Sequence, residues 1–408
     1  MSKHFLGGFM IGTLTVRSFK SLKDVQIELG NINVFIGANG SGKSNILEAV
    51  GVLSAAVSGR VDDEALLRRG VRAGVARLYK SAFADARMLP HIYFKAEDET
   101  AAYAVSLLNN LDNPLPAWRY KTEEFIQDAT SVASRGPKSS DNKEYGLAPA
   151  IIVDLKPSEA LPRLITALRD FGIYAPTTPV LRGLQPDMQA RRPVGLAGGG
   201  LADAVKTMRT RLSEENERES DEDLVDFWDD LTGLIDWMED VDTATSAASI
   251  LSPSVPRQQR IIRFFDRFMI KGRNSLTAYD ASEGALSVLL YGILAAHPEV
   301  APILAIDNMD QALNPRLVKR LMNLLCDWLP NHRPDRQFLL TAHNPSVLDG
   351  LNLSDDRVRL FAVDRNNTGH TTVKRVQVDA KLHAMAEEKG WPLSRLWVMG
   401  YLGGVPNV

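Results

Sequence analysis

The segment Gly37-Ala-Asn-Gly-Ser-Gly-Lys-Ser44 has the spacing G-x-x-x-x-G-K-S. The apolar run Ile32-Asn-Val-Phe-Ile36 precedes it and predicts a buried strand, and an apolar pattern with helical spacing follows from Ser44 onward. This strand and helix argue against a glycine-rich turn of chance spacing. Glycines allow backbone N–H groups to surround phosphate oxygens, and the helix N-terminus adds its positive dipole end. We therefore predict a phosphate-binding loop made of Gly37, Ala38, Asn39, Gly40, Ser41, Gly42, Lys43 and Ser44, with Asn45 directly after it.

Two side chains of this loop have predicted roles in binding ATP and Mg²⁺. Lys43 is expected to bridge the β and γ phosphates, and Ser44 is expected to place its hydroxyl on Mg²⁺. The sequence thus predicts that the triphosphate of ATP binds here together with its metal ion.

A second segment of interest is Leu304-Ala-Ile-Asp-Asn-Met-Asp310, which reads as an apolar strand followed by polar residues, two of them acidic. A carboxylate at the end of such a strand holds Mg²⁺ in many nucleotide-binding proteins, and we assign that role to Asp307. An apolar run ending in Asp is also common at ordinary strand-end turns. The phosphate-binding loop upstream favours the metal-binding interpretation.

The segment Thr341-Ala-His-Asn-Pro345 follows the next apolar strand. We expect His343 to lie at the same sheet edge as Asp307, because the carboxyl ends of parallel strands meet there. A single histidine is more often structural than catalytic. Its position one strand after Asp307 favours a contact with the γ-phosphate or the attacking water.

The segment Asp280-Ala-Ser-Glu-Gly284 comes directly before an apolar helical pattern. Ser282 is a plausible N-cap of that helix, and capping alone would account for it. The functional alternative is a signature loop of Ser282, Glu283 and Gly284, whose helix N-terminus binds the γ-phosphate held by a second subunit.

Composition limits the possible functions only weakly. The chain has 408 residues and a formal net charge of -3, which neither supports nor excludes DNA binding. The single cysteine, Cys326, excludes an internal disulfide framework and indicates a reducing compartment. The apolar run from Phe5 to Ile11 lacks the features of a signal peptide, and no stretch is long enough to span a membrane, so we expect a cytoplasmic protein.

The order of predicted elements indicates an α/β fold with a mostly parallel sheet and an antiparallel N-terminal layer. Alternation predicts strands at residues 12–19 and 25–29, parallel strands at 302–306 and 337–341, and a hairpin from Val358 to Val376. We predict an N-terminal ATPase lobe over residues 1–100, a mainly helical insertion over 101–260, and a C-terminal ATPase lobe over 261–408. Within the insertion, residues 131–142 and 197–200 are predicted loops, and residues 224–238 are a predicted amphipathic helix.

These motifs, in this order, resemble the ABC-type ATPases of the SMC, RecF and OLD group. The resemblance includes Leu14-Thr-Val-Arg-Ser-Phe-Lys-Ser-Leu22 near the N-terminus, and the matching segments cover about half of the chain. More narrowly, the chain resembles the AAA-type ATP-binding subunits of bacterial antiphage defence systems such as Septu and PARIS. The resemblance implies a head-to-head dimer, or a higher homo-oligomer, with each ATP between the P-loop of one subunit and the signature loop of the other. It also implies that residues 310–315 lie at that interface and that the ATP state controls an effector or a DNA contact.

The sequence departs from this group after Asp307. The usual next residue is Glu, which polarises the attacking water, whereas Asn308 stands here. Because an amide cannot accept that proton, hydrolysis is expected to be slow, unless Asp310 or His343 positions the water instead.

Three functions compete at this stage. The first is an ATPase subunit that controls a separate nuclease or toxin. The second is a RecF-like DNA-binding ATPase in DNA repair, and the third and weakest is a transporter ATPase. In the second, DNA would contact a run of basic residues that otherwise forms a solvated face beside an apolar strand: Arg257, Arg260, Arg263, Arg267, Lys271 and Arg273.

Overall fold

The computed structural model describes residues 11–85, 87–140, 142–149, 163–215, 222–245, 259–377 and 390–403. The candidate DNA contact Arg257 and all but the last residue of the apolar run from Phe5 to Ile11 lie outside these ranges. Within the described ranges, no helix is long and apolar enough to cross a membrane.

Runs of strands and runs of helices follow one another along the described chain. The strands are β1 (Thr13–Phe19), β2 (Leu22–Glu28), β3 (Ile32–Ile36), β4 (His91–Glu97), β5 (Ala101–Leu108), β6 (Arg119–Gln127), β7 (Thr130–Arg135), β8 (Ile173–Tyr174), β9 (Met238–Ala244), β10 (Ile261–Asp266), β11 (Ser275–Thr277), β12 (Ile303–Ile306), β13 (Gln337–Ala342), β14 (Val358–Arg365) and β15 (Thr371–Val376). The helices are α1 (Lys43–Val57), α2 (Asp63–Leu67), α3 (Ala76–Tyr79), α4 (Arg163–Arg169), α5 (Thr178–Leu181), α6 (Leu201–Glu215), α7 (Glu222–Gly233), α8 (Glu283–Ala296), α9 (Pro315–His332) and α10 (Leu393–Val398), with a 3₁₀-helix at Pro345–Gly350.

A central sheet carries the phosphate-binding loop, and its strand order is β15-β14-β3-β13-β12-β8. The middle strand β3 pairs in parallel with both β13 and β14, and β12 pairs in parallel with β13 and β8. Both faces of β3 are covered: Val34 packs in one hydrophobic cluster and Phe35 in the other. A strand buried on both faces needs a continuous apolar run, which is the pattern that predicted it. The α/β fold and the predicted parallel strands are confirmed.

Helices pack on both faces of this sheet. Apolar residues of α1 join Phe35 on one face, and apolar residues of α8 and α9 join Val34 on the other. The sheet therefore holds its carboxyl-end loops between two helical layers, at the position where ligands bind in open α/β sheets.

An antiparallel sheet of order β2-β1-β4-β5-β6-β7 forms the predicted N-terminal layer, but it extends further along the chain than predicted. The mainly helical insertion predicted for residues 101–260 is wrong in its first part, because β5, β6 and β7 continue this sheet. Their alternation is present in Tyr103, Val105 and Leu107, which are buried. Residues 131–135 are likewise a strand and not a loop.

The later part of the insertion is mixed. Helices α6 and α7 pack together with α8, and β9 pairs with β10 in a small sheet of order β11-β10-β9. The amphipathic helix predicted for residues 224–238 ends at Gly233, and Met238 begins β9 instead. Glycine commonly ends a helix. Leu234 and Met238, which follow Gly233, have the spacing of the helical stripe but do not belong to the helix.

The predicted C-terminal hairpin is confirmed as β14 and β15, which pair antiparallel through a turn between Arg365 and Thr371. Because β14 lies beside β3, this hairpin reaches the phosphate-binding loop, a proximity that the sequence did not indicate.

Candidate nucleotide-binding site

The loop from Gly37 to Ser44 connects the end of β3 to the start of α1. Its glycines adopt backbone conformations that other residues rarely adopt, with φ of 156° at Gly37 and 112° at Gly42. A Cβ at Gly37 would lie 2.1 Å from the carbonyl oxygen of Val363 in the hairpin. The glycine spacing is therefore required by the backbone path and by the close approach of β14.

Lys43 is folded into the loop. Its Nζ donates hydrogen bonds to the carbonyl oxygens of Gly37 at 2.8 Å and Ala38 at 3.0 Å. Burial lowers the pKa of Lys43 to about 8, although the negative charges of Asp307 and Asp310 act in the opposite direction. The lysine is thus poorly solvated and has no direct carboxylate partner among the described residues, which suits a side chain that meets phosphate oxygens.

Ser44 and Asp307 come together across the carboxyl edge of the sheet. The Ser44 hydroxyl lies 3.1 Å from Oδ1 and 3.0 Å from Oδ2 of Asp307, and the Thr341 hydroxyl also donates to Asp307 Oδ1. Strands β3, β13 and β12 are neighbours, so their carboxyl ends bring these three residues to one place. A hydroxyl and a carboxylate are the hard oxygen ligands that Mg²⁺ prefers, so the pair fits the predicted metal.

Asn308 adopts a left-handed backbone conformation, with φ of 55°. Asparagine tolerates this conformation better than most residues. Its backbone N–H donates to the Thr341 hydroxyl at 2.8 Å, so Thr341 supports both Asp307 and the residue after it. The sequence assigned no role to Thr341, although it lies in the quoted segment with His343.

Asp310 is buried and connects two loops. Its Oδ2 accepts hydrogen bonds from the backbone N–H of His343 at 2.9 Å and from that of Asn344, while its Oδ1 has no hydrogen-bond partner among the described residues. The pKa of His343 is lowered by desolvation and by the positive charge of Lys43. The structure thus groups Lys43, Ser44, Asp307, Asp310 and His343 at one edge of the sheet.

The predicted signature residues lie at the start of α8. The Ser282 hydroxyl accepts from the Ala285 N–H at 3.2 Å and caps α8, while Ser282 and Glu283 are exposed and Gly284 is half-buried. In the described part of the chain, no hydrogen bond joins these three residues to the phosphate-binding loop. The predicted N-cap is therefore present.

Sequence reasoning missed several side chains around the loop. Glu48 in α1 is buried and forms ion pairs with Lys20 and Arg72, and the Arg365 Nε donates to the carbonyl oxygen of Gly40 at 2.8 Å. Their partners are remote in sequence, so no local pattern could have indicated these contacts.

The candidate DNA-binding residues are largely engaged within the chain. Arg260 forms an ion pair with Asp203 at 2.6 Å, and Arg263 forms a bidentate ion pair with Asp242. Arg267 donates a hydrogen bond to the Met238 carbonyl oxygen. Lys271 and Arg273 are exposed. Of the described run, these two leave the most charge available to an external ligand.

Known proteins resemble this chain in sequence and in fold. A family model described as "AAA domain, putative AbiEii toxin, Type IV TA system" matches residues 32–349, which is most of the chain. DNA replication and repair protein RecF from Magnetococcus marinus is 42% identical over 57 residues, which are 14% of this chain and 15% of that protein. RecF from Corynebacterium jeikeium is 34% identical over 95 residues, which are 22% of each chain. The chain thus spans under a quarter of the length of these relatives.

Among solved structures, an Smc head bound to the C-terminal winged-helix domain of ScpA is similar over 91% of this chain and 99% of that chain, with a TM-score of 0.53 and 12% identity. At this identity the similarity shows the fold alone. Over most of its length, the chain therefore has an SMC-head-like fold.

Proposed function

The chain belongs to the family described as "AAA domain, putative AbiEii toxin, Type IV TA system", and from that membership we propose that it is an ATP-binding subunit that hydrolyses ATP slowly and controls a partner effector. The effector is a separate nuclease or toxin, and the system acts in bacterial defence against phage. The order of motifs and their resemblance to Septu and PARIS ATPases support this assignment.

The contact of Ser44 with Asp307 is the observation that carries the ATP-binding part. An oxygen from the first turn of α1 and a carboxylate from the end of β12 converge beside a glycine loop that holds a poorly solvated lysine. In the proposed complex, Ser44 and Asp307 hold Mg²⁺, and Lys43 and the loop N–H groups bind the phosphates. Bound Mg²⁺ neutralises charge on the β and γ phosphates.

Slow hydrolysis follows from Asn308. The residue after Asp307 is where a general base is expected, and the Asn308 amide cannot accept a proton from water. General-base assistance is typically worth about 10²- to 10⁴-fold, so its loss would prolong the ATP-bound state. A long-lived ATP state suits a switch better than a motor.

The proposed homodimer places Ser282, Glu283 and Gly284 of one subunit against the ATP of the other. The exposure of Ser282 and Glu283 and the position of this loop at the N-terminus of α8 support this arrangement, since a helix N-terminus attracts phosphate. Dimerisation would then depend on ATP.

Binding of a fluorescent ATP analogue with Mg²⁺ tests the first part. We expect Lys43→Ala to abolish tight binding without loss of fold, because it removes a charge aimed at the phosphates and little core volume. Lys206→Ala, on the exposed face of α6, is the matched control and should bind normally. Equal affinity of Lys43→Ala and the natural protein would refute the proposal.

Phage challenge tests the defence role. The chain would be expressed together with the gene that neighbours it in its genome, and plating efficiency would be compared for the natural chain, Lys43→Ala and Lys206→Ala. Protection that is lost only in Lys43→Ala supports nucleotide control of an effector. The defence role is contradicted if plating efficiency is equal for all three proteins, or if cells with the natural chain plate phage as efficiently as cells without it.

A second candidate is a RecF-like DNA-binding ATPase in DNA repair, which the short RecF similarities favour. DNA binding by this route would use Lys271 and Arg273. Replacing both by alanine should reduce the slope of log affinity against log salt by about 1.8, at about 0.9 for each phosphate that is no longer neutralised. DNA affinity that is absent or insensitive to the double substitution removes this candidate.

A further inference from the structure

A chain of hydrogen bonds runs behind the phosphate-binding loop and joins three segments that are distant in sequence. The Thr371 hydroxyl lies 2.7 Å from the carbonyl oxygen of Ser41 and 2.6 Å from the Ser21 hydroxyl. The Asn45 side-chain amide donates to the Ser21 hydroxyl at 2.8 Å. Ser21, Ser41 and Thr371 are 4%, 3% and 3% exposed, so water does not compete for these contacts.

The direction of this chain is fixed by its ends. A carbonyl oxygen can only accept, so Thr371 donates its single proton to Ser41. The proton between the two hydroxyls must therefore come from Ser21, which in turn accepts from Asn45. Arg72, which can only donate, lies 3.4 Å from Asn45 Oδ1 and so orients the amide consistently.

Gly42 shows how closely the hairpin approaches the loop. A Cβ at this position would lie 2.2 Å from the Thr371 hydroxyl and 2.8 Å from the Ser21 hydroxyl. The backbone N–H of Thr371 also donates to the Ser21 carbonyl oxygen at 2.8 Å. Thr371 is therefore held from two sides against the peptide that joins Ser41 to Gly42.

The orientation of that peptide decides where its N–H points. A trans peptide is planar, and its C=O and N–H point in opposite directions. Because Thr371 holds the Ser41 carbonyl toward the hairpin, the Gly42 N–H is directed away from the hairpin. Backbone N–H groups of such loops bind phosphate oxygens.

We infer that Thr371 is a positioning residue that fixes the Ser41–Gly42 peptide for phosphate binding, and that Ser21 supports it. The inference rests on the proposed ATP-binding function. It adds to the phosphate-binding site a residue of the C-terminal hairpin, to which the sequence analysis assigned no role.

Affinity for a fluorescent ATP analogue with Mg²⁺, measured beside the urea midpoint of the nucleotide-free protein, tests the inference. Thr371→Val keeps the side-chain shape and removes the donor, and we expect about tenfold weaker binding. Thr371→Ser keeps the hydroxyl and should restore affinity to within about threefold of natural. Thr372→Val is the matched control, because that hydroxyl contacts the Asp364 carbonyl oxygen within the hairpin.

The outcomes separate this inference from the proposed function. If the natural protein binds ATP and Thr371→Val binds equally well, or if Thr371→Ser loses as much affinity as Thr371→Val, the positioning role is wrong while the proposed function stands. If the natural protein binds no ATP, the proposed function itself fails. Should Thr371→Val not fold, Ser21→Ala interrupts the same chain, and unchanged affinity in that variant overturns the inference.

Discussion

The backbone N–H of His343 donates a hydrogen bond to the carboxylate of Asp310 at 2.9 Å. This contact links the loop after β12 to the loop after β13, and the N–H of Asn344 donates to the same oxygen. One carboxylate oxygen of Asp310 is thereby committed to holding the backbone of the His343 segment. We therefore interpret Asp310 as an anchor for that segment, and not as a general base.

The anchor role predicts a loss of stability in Asp310→Ala. Two backbone donors would lose a charged acceptor, so we expect the free energy of unfolding to fall by about 2 to 4 kcal/mol. Urea denaturation measures this free energy, and Asp229→Ala on the exposed face of α7 is a control expected to change stability little. Full stability of Asp310→Ala combined with lost hydrolysis would indicate the base role instead.

The lowered pKa of Lys43 leads us to expect that the protein takes up protons when it binds ATP. Its pKa of about 8 lies below the ordinary 10.5, so the folded state binds fewer protons than the unfolded state between these values. The stability cost of Lys43 is therefore greatest below pH 8 and is relieved as the pH rises toward 10.5. Phosphates raise the pKa of Lys43 again, so ATP binding with excess Mg²⁺ should take up more protons at about pH 8.5 than at about pH 7.

Calorimetry in two buffers of different ionisation enthalpy measures this uptake. Lys206→Ala should behave like the natural protein because its side chain lies on an exposed helix face. Equal proton uptake at about pH 7 and about pH 8.5 would show that Lys43 is not the titrating group.

Substitutions of Asn308 should change both the rate of ATP hydrolysis and the strain of the backbone at this position. Asn308→Glu and Asn308→Asp both restore a carboxylate, and correct placement should raise single-turnover hydrolysis by about 10²-fold or more. Because φ is positive at this residue, Asp should be tolerated better than Glu, and Asn308→Gly should fold at least as well as Asn308→Ala. Fast hydrolysis by the natural protein, slowed by either carboxylate, would refute the slow-switch interpretation.

Ser282→Arg predicts loss of ATP-dependent association. The substitution adds bulk and charge at the exposed N-terminus of α8 while leaving the core of that helix intact. In sedimentation with ATP, the natural protein and the control Ser213→Arg on the exposed face of α6 should be dimers, and Ser282→Arg should be a monomer. Without ATP, all three should be monomers. The same assembly in all samples, regardless of nucleotide, would contradict the role of the signature loop.

The sequence predicts best what is encoded locally. The loop from Gly37 to Ser44 and the strand before Asp307 have short patterns with a direct physical cause, and parallel strand ends meet at one edge whatever lies between them. Thr371 could not be found this way, because its proximity to Ser41 arises from the pairing of β14 with β3. The mainly helical insertion predicted from residue 101 is wrong at β7 because that strand is largely polar and exposed and gives only a weak alternating signal, whereas β5 does carry an alternation, in Tyr103, Val105 and Leu107.

The central position of β3 also has a consequence for synthesis on the ribosome. Its partners β13 and β14 follow roughly 300 residues later, so the central sheet has a very high contact order. At about 5 to 20 residues per second, both edges of an apolar strand remain unpaired for about 15 to 60 s. Strands β1 and β2 emerge before β3, and β4 and β5 emerge during this interval, so these four strands can already pair with one another. The antiparallel lobe can thus form first, while the nascent chain depends on α1 or a chaperone to shield β3 from aggregation.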